Sequence, residues 1–268
     1  MVNSLFLTKA NILNAKKYKI DWYGQFLTPL LTILPVAFML YFGTKSGMIG
    51  FFSKEKSFIE MMGFIILGAA YWNYVEVLWN VIFHLRYLMK VGQLEEIFIM
   101  PISSFGYIFS WSVMGFLKVT VESIPILILS IIFSITDFTI YNFLMSILVL
   151  IISIIASFGF VFLFFGLTLK LKDGDELVSL LGNASPLIGG MFFSVTILPF
   201  GLRIISYIFP FTWGLDLVRH FLIGTETILD IKNQFIVLIA LTLFYLFLGI
   251  VSFVVLEKKS RKNGLQGF

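Results

Sequence analysis

Residues 235–256 read FIVLIALTLFYLFLGIVSFVVL, 22 consecutive positions without a charge. As an α-helix rising 1.5 Å per residue this run is about 33 Å long, close to the ~30 Å hydrocarbon thickness of a bilayer. The basic, polar stretch EKKSRKNGLQGF, residues 257–268, follows it directly. Such a run bounded by cations is the pattern of a membrane-spanning helix that ends at a charged interface.

The rest of the chain agrees. Of its 268 residues, 59% are apolar and 13% charged, and the mean hydropathy is +0.99. Soluble globular domains run near half apolar and about a quarter charged. Lipid is the solvent that accepts such a surface. Cysteine is absent, which excludes disulfides, thiolate metal sites and cysteine nucleophiles. The net charge of +4 is read as cytoplasmic-loop Lys and Arg and not as a nucleic-acid footprint.

Working back from residue 235, further apolar runs occur at 23–42, 61–83, 102–135, 143–169 and 177–198. Together they predict an all-α membrane protein with six transmembrane helices and one transmembrane domain over residues 1–268. The run at 102–135 exceeds one perpendicular crossing and reads as a single long third helix from about 104, bent at Pro125. Residues 3–18 mix Leu5, Phe6, Leu7, Ile12 and Leu13 with Lys9, Lys16 and Lys17, a pattern for a helix lying in the interface. Residues 1–20 lack a short apolar region followed by a small-residue cleavage site, so the first span is expected to stay in the mature protein. Residues 43–60 read as a polar loop, and KLKDGDE at 170–176 as another.

Residues 199–234 fit neither span nor loop. They are apolar in patches yet hold Pro199, Gly201, Pro210, Asp216, Arg219 and His220. Broken apolar pieces survive at membrane depth only where protein or water covers them, so this segment reads as a re-entrant pair of short helices. Orientation follows from charge. With the N-terminus inside, the inner segments hold Lys9, Lys16, Lys17, Lys19, Arg86, Lys90, Lys170, Lys172, Lys258, Lys259, Arg261 and Lys262, against Lys45, Lys54, Lys56, Arg203, Arg219 and Lys232 outside. That excess predicts both termini in the cytoplasm and an even number of spans.

Catalytic signatures are missing. There is no H-E-x-x-H, no G-x-S-x-G, and no phosphate loop, since Gly43-Thr44-Lys45-Ser46 lacks the earlier glycine. Any ATP must therefore bind another chain. The two histidines, His84 and His220, read as interfacial. Three ionisable residues fall inside apolar runs, Glu76 in the second and Lys118 with Glu122 in the third. Charge at membrane depth faces a cavity or a partner. Lys118 and Glu122, four apart on one helix face, either neutralise each other or line a polar route.

Residues 86–101, RYLMKVGQLEEIFIMP, interleave Leu88, Met89, Leu94, Ile97, Phe98, Ile99 and Met100 with charges, and Gly92 breaks the chain before a short helix. Apolar side chains on a water-facing loop mark either a partner surface or a segment that dips into the membrane interface. Here the chain resembles the type-2 ABC transporter permeases, which carry Gly-x-Leu-Glu, then a short apolar stretch closing on Pro-Ile/Leu-Ser. The corresponding residues are Gly92-Gln93-Leu94-Glu95-Glu96-Ile97-Phe98-Ile99-Met100-Pro101-Ile102-Ser103. A second family pattern is matched by Leu198-Pro199, Pro210, Asp216, Arg219 and Gly224.

The resemblance spans nearly the whole chain and implies the membrane subunit of an exporter at the cell membrane, with no catalysis of its own. It implies a paired second copy and two separate cytoplasmic ATPase subunits that bind ATP and Mg. Gly92 to Pro101 would form the cytoplasmic coupling helix, with Leu94, Ile97 and Phe98 in an ATPase groove and Glu95 and Glu96 at its rim. Pro199, Pro210, Asp216 and Arg219 would belong to an extracellular re-entrant gate, Asp216 and Arg219 bracing each other or the neighbouring chain. Two other classes are weighed against it. A lipid-modifying membrane enzyme would use Glu76, Lys118, Glu122 or His220 as acid–base groups but has no nucleophile. A gradient-driven secondary transporter predicts inverted repeats with paired broken helices, and only one broken region is present.

Overall fold

The computed structural model describes residues 58–93, 96, 104–132, 139–170 and 174–263, together with Lys9, Leu13, Gly24, Phe38 and Phe42 singly. The expected interfacial helix at 3–18, the first span at 23–42 and most of the segment 94–103 lie outside the described residues. Among the described residues all regular structure is helical. The helices are α1 (Phe58–Lys90), α2 (Ser104–Ile132), α3 (Ile140–Lys170), α4 (Gly174–Ile188), α5 (Phe200–Ile208), α6 (Pro210–Ile223) and α7 (Ile231–Asn263).

Four of them are long and apolar enough to cross a bilayer, over Met61–Lys90, Phe105–Ile128, Ile140–Phe164 and Ile231–Val255. The chain is an all-helical, multi-pass membrane protein. Outward faces carry the side chains lipid requires, including Leu144, Leu148 and Ile155 on α3 and Leu243, Phe247 and Ile250 on α7, all exposed. The hydroxyls of Ser112, Ser153, Ser157 and Thr242 donate to carbonyls one turn back, at 2.7–2.9 Å, so no apolar helix carries them unsatisfied.

Two elements differ from the sequence reading. The apolar run at 177–198 is not one continuous helix. α4 has 15 residues, about 22 Å of rise, and ends where Gly190 takes a φ of +86°. Beyond it the chain is irregular except for a 3₁₀ turn at Val195–Ile197. Pro186 and the Gly189–Gly190 pair break the helix before it can span. In the other direction, α1 runs past residue 83, where a polar segment was expected, to Lys90. There His84 stacks on Trp111 at 3.8 Å and Arg86 is buried, so these polar side chains are packed and not looped out.

α1 and α2 form an antiparallel pair whose contacts fix its register. Ile66 and Ala70 cluster with Ile126, Tyr74 donates to Thr120 at 3.2 Å, Gly115 sits against Val77, and His84 lies over Trp111. On the other side of the bundle α3 packs along α7. Their crossing is set by Gly159 and Gly249. A Cβ on Gly159 would strike the Tyr245–Leu246 backbone, and one on Gly249 the Gly159 carbonyl. Without a hydrophobic drive between helices in lipid, such close backbone approach is what holds them.

The main core lies where α1, α3, α6 and α7 meet. Phe160 is its hub, within 6.1 Å, centroid to centroid, of Trp79, Phe164, Phe209, Phe211 and Tyr245. α6 is buried along nearly its whole length, from Pro210 to Leu222. It is a short helix inside the bundle and not a surface span.

The glycine crossing predicts a clear contrast. Gly249→Ala should lower the thermal midpoint of the detergent-purified protein, with an overpacking cost of about 1–3 kcal/mol. Gly201→Ala, where nothing lies within 4 Å of the new methyl, should leave it unchanged or raise it. Equal midpoints for the two variants would contradict the contact.

Candidate functional site

α6 is held in place by a polar network. Pro210 occupies its first turn, where the missing N–H costs nothing, and Gly224 closes it in the left-handed region at φ +69°. From this helix Arg219, 2% exposed, reaches three main-chain carbonyls. Its Nε donates to Phe64 O at 3.1 Å, Nη1 to Gly190 O at 2.7 Å and Nη2 to Met191 O at 2.6 Å. The guanidinium also lies 3.5 Å over the Phe64 ring. Two of these carbonyls belong to the irregular turn after α4. Ser206 Oγ takes a third from the same region, Ile188 O, at 2.6 Å. Gly68 makes the approach possible, since a Cβ there would collide with the Arg219 guanidinium and the Met191 carbonyl.

Asp216 has other work. Its Oδ2 accepts from Ile228 N and from Gln234 Nε2, both at 2.9 Å. Gln234, fully buried, also donates to Trp213 O at 3.1 Å and accepts from Leu229 N at 3.3 Å. Burial pushes the Asp216 carboxyl above its ordinary range, against the pull of those two donors. His220 Nδ1 bonds the Thr225 carbonyl at 2.7 Å; a carbonyl only accepts, so that nitrogen carries the proton. The loop at 224–230 is thus pinned to α6 from both ends.

The resemblance implies that Asp216 and Arg219 brace each other or a neighbouring chain; their hydrogen bonds go to different partners. Arg219 ties α6 to α1 and to the turn after α4, while Asp216 ties it to the entry of α7. Of the two prolines, Pro199 caps α5 and Pro210 starts α6.

The three intramembrane charges come together on a different face. In the α1–α2 register, Glu76 lies level with Lys118 and within a turn of Glu122. Glu76 and Lys118 are exposed, and Glu122 is half-buried. Glu76 falls midway along its candidate span, Met61–Lys90, and Lys118 near the middle of Phe105–Ile128. The exposed face of α1 continues with Asn80, Phe83 and Tyr87. Unlike α7, this face is not one that hydrocarbon can solvate.

Of the other expected site residues, Gly92 takes φ +75°, which breaks the chain after α1, and Glu96 is exposed. Leu94, Glu95, Ile97, Phe98 and Pro101 lie outside the described residues. Gly68 and Gln234 are parts of the network that the sequence reading did not single out. A charge-free polar side chain just ahead of the last apolar run was the one available signal for Gln234. Among the described residues, no group of three or more His, Cys, Asp or Glu could hold a metal ion. In comparison with known proteins, no family model and no curated protein matches this chain.

Arg219→Met should lower the thermal midpoint sharply, because each buried carbonyl left without a donor costs about 1–3 kcal/mol. Arg219→Lys should recover part of that loss, since a single ammonium cannot reproduce the planar fork. A midpoint for Arg219→Met equal to wild type would show that the network contributes nothing.

Proposed function

We propose that this chain is the permease subunit of an ATP-driven ABC exporter in the cell membrane, paired with a second copy and driven by two separate cytoplasmic ATPase subunits that bind ATP and Mg. The observation that carries the reading is the exposed α1–α2 face with Glu76, Lys118 and Glu122 at mid-depth. Charge at that depth needs protein or water opposite it. In a paired permease the same face meets its symmetry mate and lines the translocation route. The buried α6, preceded by the short α5 and held by Arg219, supports an extracellular re-entrant gate before the last span.

The sequence resemblance supplies the remaining parts. Gly92 to Pro101 is the coupling helix, and the basic residues near the chain ends keep both termini in the cytoplasm. Closure of the ATPase pair pushes on that helix. Because it connects α1 directly to α2, the push reaches the charged pair first.

Two variants separate the parts of this reading. Leu94→Asp and Phe98→Asp should abolish co-purification with the cognate ATPase while the permease elutes as before; undiminished co-purification would sink the coupling role. Glu122→Gln should cut ATP-driven transport at least about tenfold with assembly intact. Normal transport by that variant would remove Glu122 from the route.

A further inference from the structure

On the side of the α1–α2 pair opposite the charges lies a cavity of about 470 Å³, closed by α3 and α6. Ligand pockets typically measure roughly 300–1,000 Å³. Its walls are almost wholly apolar, including Leu67, Phe116, Leu127 and Leu150. Its mouth is marked by lining residues that are exposed, Ile147, Ile151 and Thr120.

The few polar atoms in it share one property. Tyr74 Oη donates to Thr120 Oγ1 at 3.2 Å, and Thr120 in turn donates to Phe116 O at 2.7 Å. Ser123 and Ser146 donate to Val119 O and Asn142 O, each at 2.8 Å. All four hydroxyl hydrogens are therefore committed within the protein. What these groups can still offer a ligand is oxygen lone pairs. The Tyr71 ring also lines the cavity; its hydroxyl has no hydrogen-bond partner among the described residues but is fully buried beside Ser153 at Gly214 and exposes no surface to a ligand.

We infer that this cavity binds a hydrophobic molecule carrying a hydrogen-bond donor, a long-chain alcohol or amine, in preference to one ending in an ester or other pure acceptor. An acceptor atom placed there would lose its water and find no hydrogen, whereas a donor meets the lone pairs of Ser123 and Ser146. The site lies inside one protomer, away from the charged face, and does not depend on the exporter reading. The molecule comes either from the surrounding membrane, as a resident lipid, or from solution, as a free amphiphile.

The test uses the full chain purified in detergent and a photoactivatable diazirine derivative of hexadecanol, with labelled positions mapped by peptide mass spectrometry. Labelling should concentrate on cavity positions of α1, α2 and α3. Ile147→Trp, at the mouth, should reduce it about tenfold, while Leu243→Trp on the outer face of α7 leaves it unchanged. Unlabelled hexadecanol should compete about fivefold better than its methyl ether, and the double variant Ser123→Ala, Ser146→Ala should abolish that preference while labelling persists. The double variant still decides the donor argument if Ile147→Trp fails to fold. Labelling spread evenly over the lipid-facing helices, or equal competition by alcohol and ether in the wild type, would overturn the inference. Native mass spectrometry then assigns the source: a co-purified lipid displaced by the alcohol marks a resident lipid, and protein without lipid that binds the alcohol marks a free amphiphile.

Discussion

Everything at the centre of this protein depends on one guanidinium. An irregular turn leaves its carbonyls without helical partners, and carbonyls buried away from water must find donors in the protein. The turn after α4 finds them in Arg219, whose fork bonds Gly190 O and Met191 O at once, and whose third donor reaches Phe64 O on α1. The same contact compensates the charge, since three carbonyl dipoles and the face of Phe64 replace its hydration. Remove that side chain and the turn, α6 and α1 lose their shared fastening. The fold can hold a buried short helix among long ones because this one residue satisfies both ends of the problem.

The polar parts then divide between two purposes. Arg219 and Gln234 are buried, Asp216 is half-buried, and their polar atoms are taken up by main chain and by one another. Glu76, Lys118 and Glu122 are exposed or half-buried at mid-depth, which leaves them available to something outside the chain. In sequence Asp216 and Arg219 look the same as Glu76, Lys118 and Glu122, charges in apolar surroundings. Burial and hydrogen-bond partners distinguish them.

Membrane class, the existence of the last span and the oddity of residues 199–234 were legible directly, because hydropathy and proline placement act locally; the last helix itself runs further at both ends, over Ile231–Asn263. The single long helix through Pro125 was legible too, running over Ser104–Ile132. At Gly189–Gly190 the glycines themselves invite a bend, but the complete stop of the helix there was not legible. Its cost depends on donors supplied by Arg219 and Ser206, 28 and 18 residues away. Nor could the sequence show that α1 would absorb His84 and Arg86, the first of which stacks on Trp111 of α2. Gly68 looked like any glycine in a span, and only the arrival of a side chain from residue 219 gives it a purpose. The first span and the heart of the coupling segment rest on sequence alone.

The meeting of Gly159 with Gly249 has a mechanical consequence. Two helices whose backbones touch cannot slide lengthwise, because the larger side chains on either side of the contact, Phe160 and Tyr245 among them, would have to climb over the opposing main chain. α3 and α7 therefore form a keyed joint, free at most to pivot about that point. The α1–α2 pair has a softer seam, a tyrosine–threonine bond and stacked rings that can re-form after a small shift. The molecule thus has a fixed frame on one side and an adjustable one on the other, joined by α6, which Arg219 ties to α1 and Asp216 to the entry of α7.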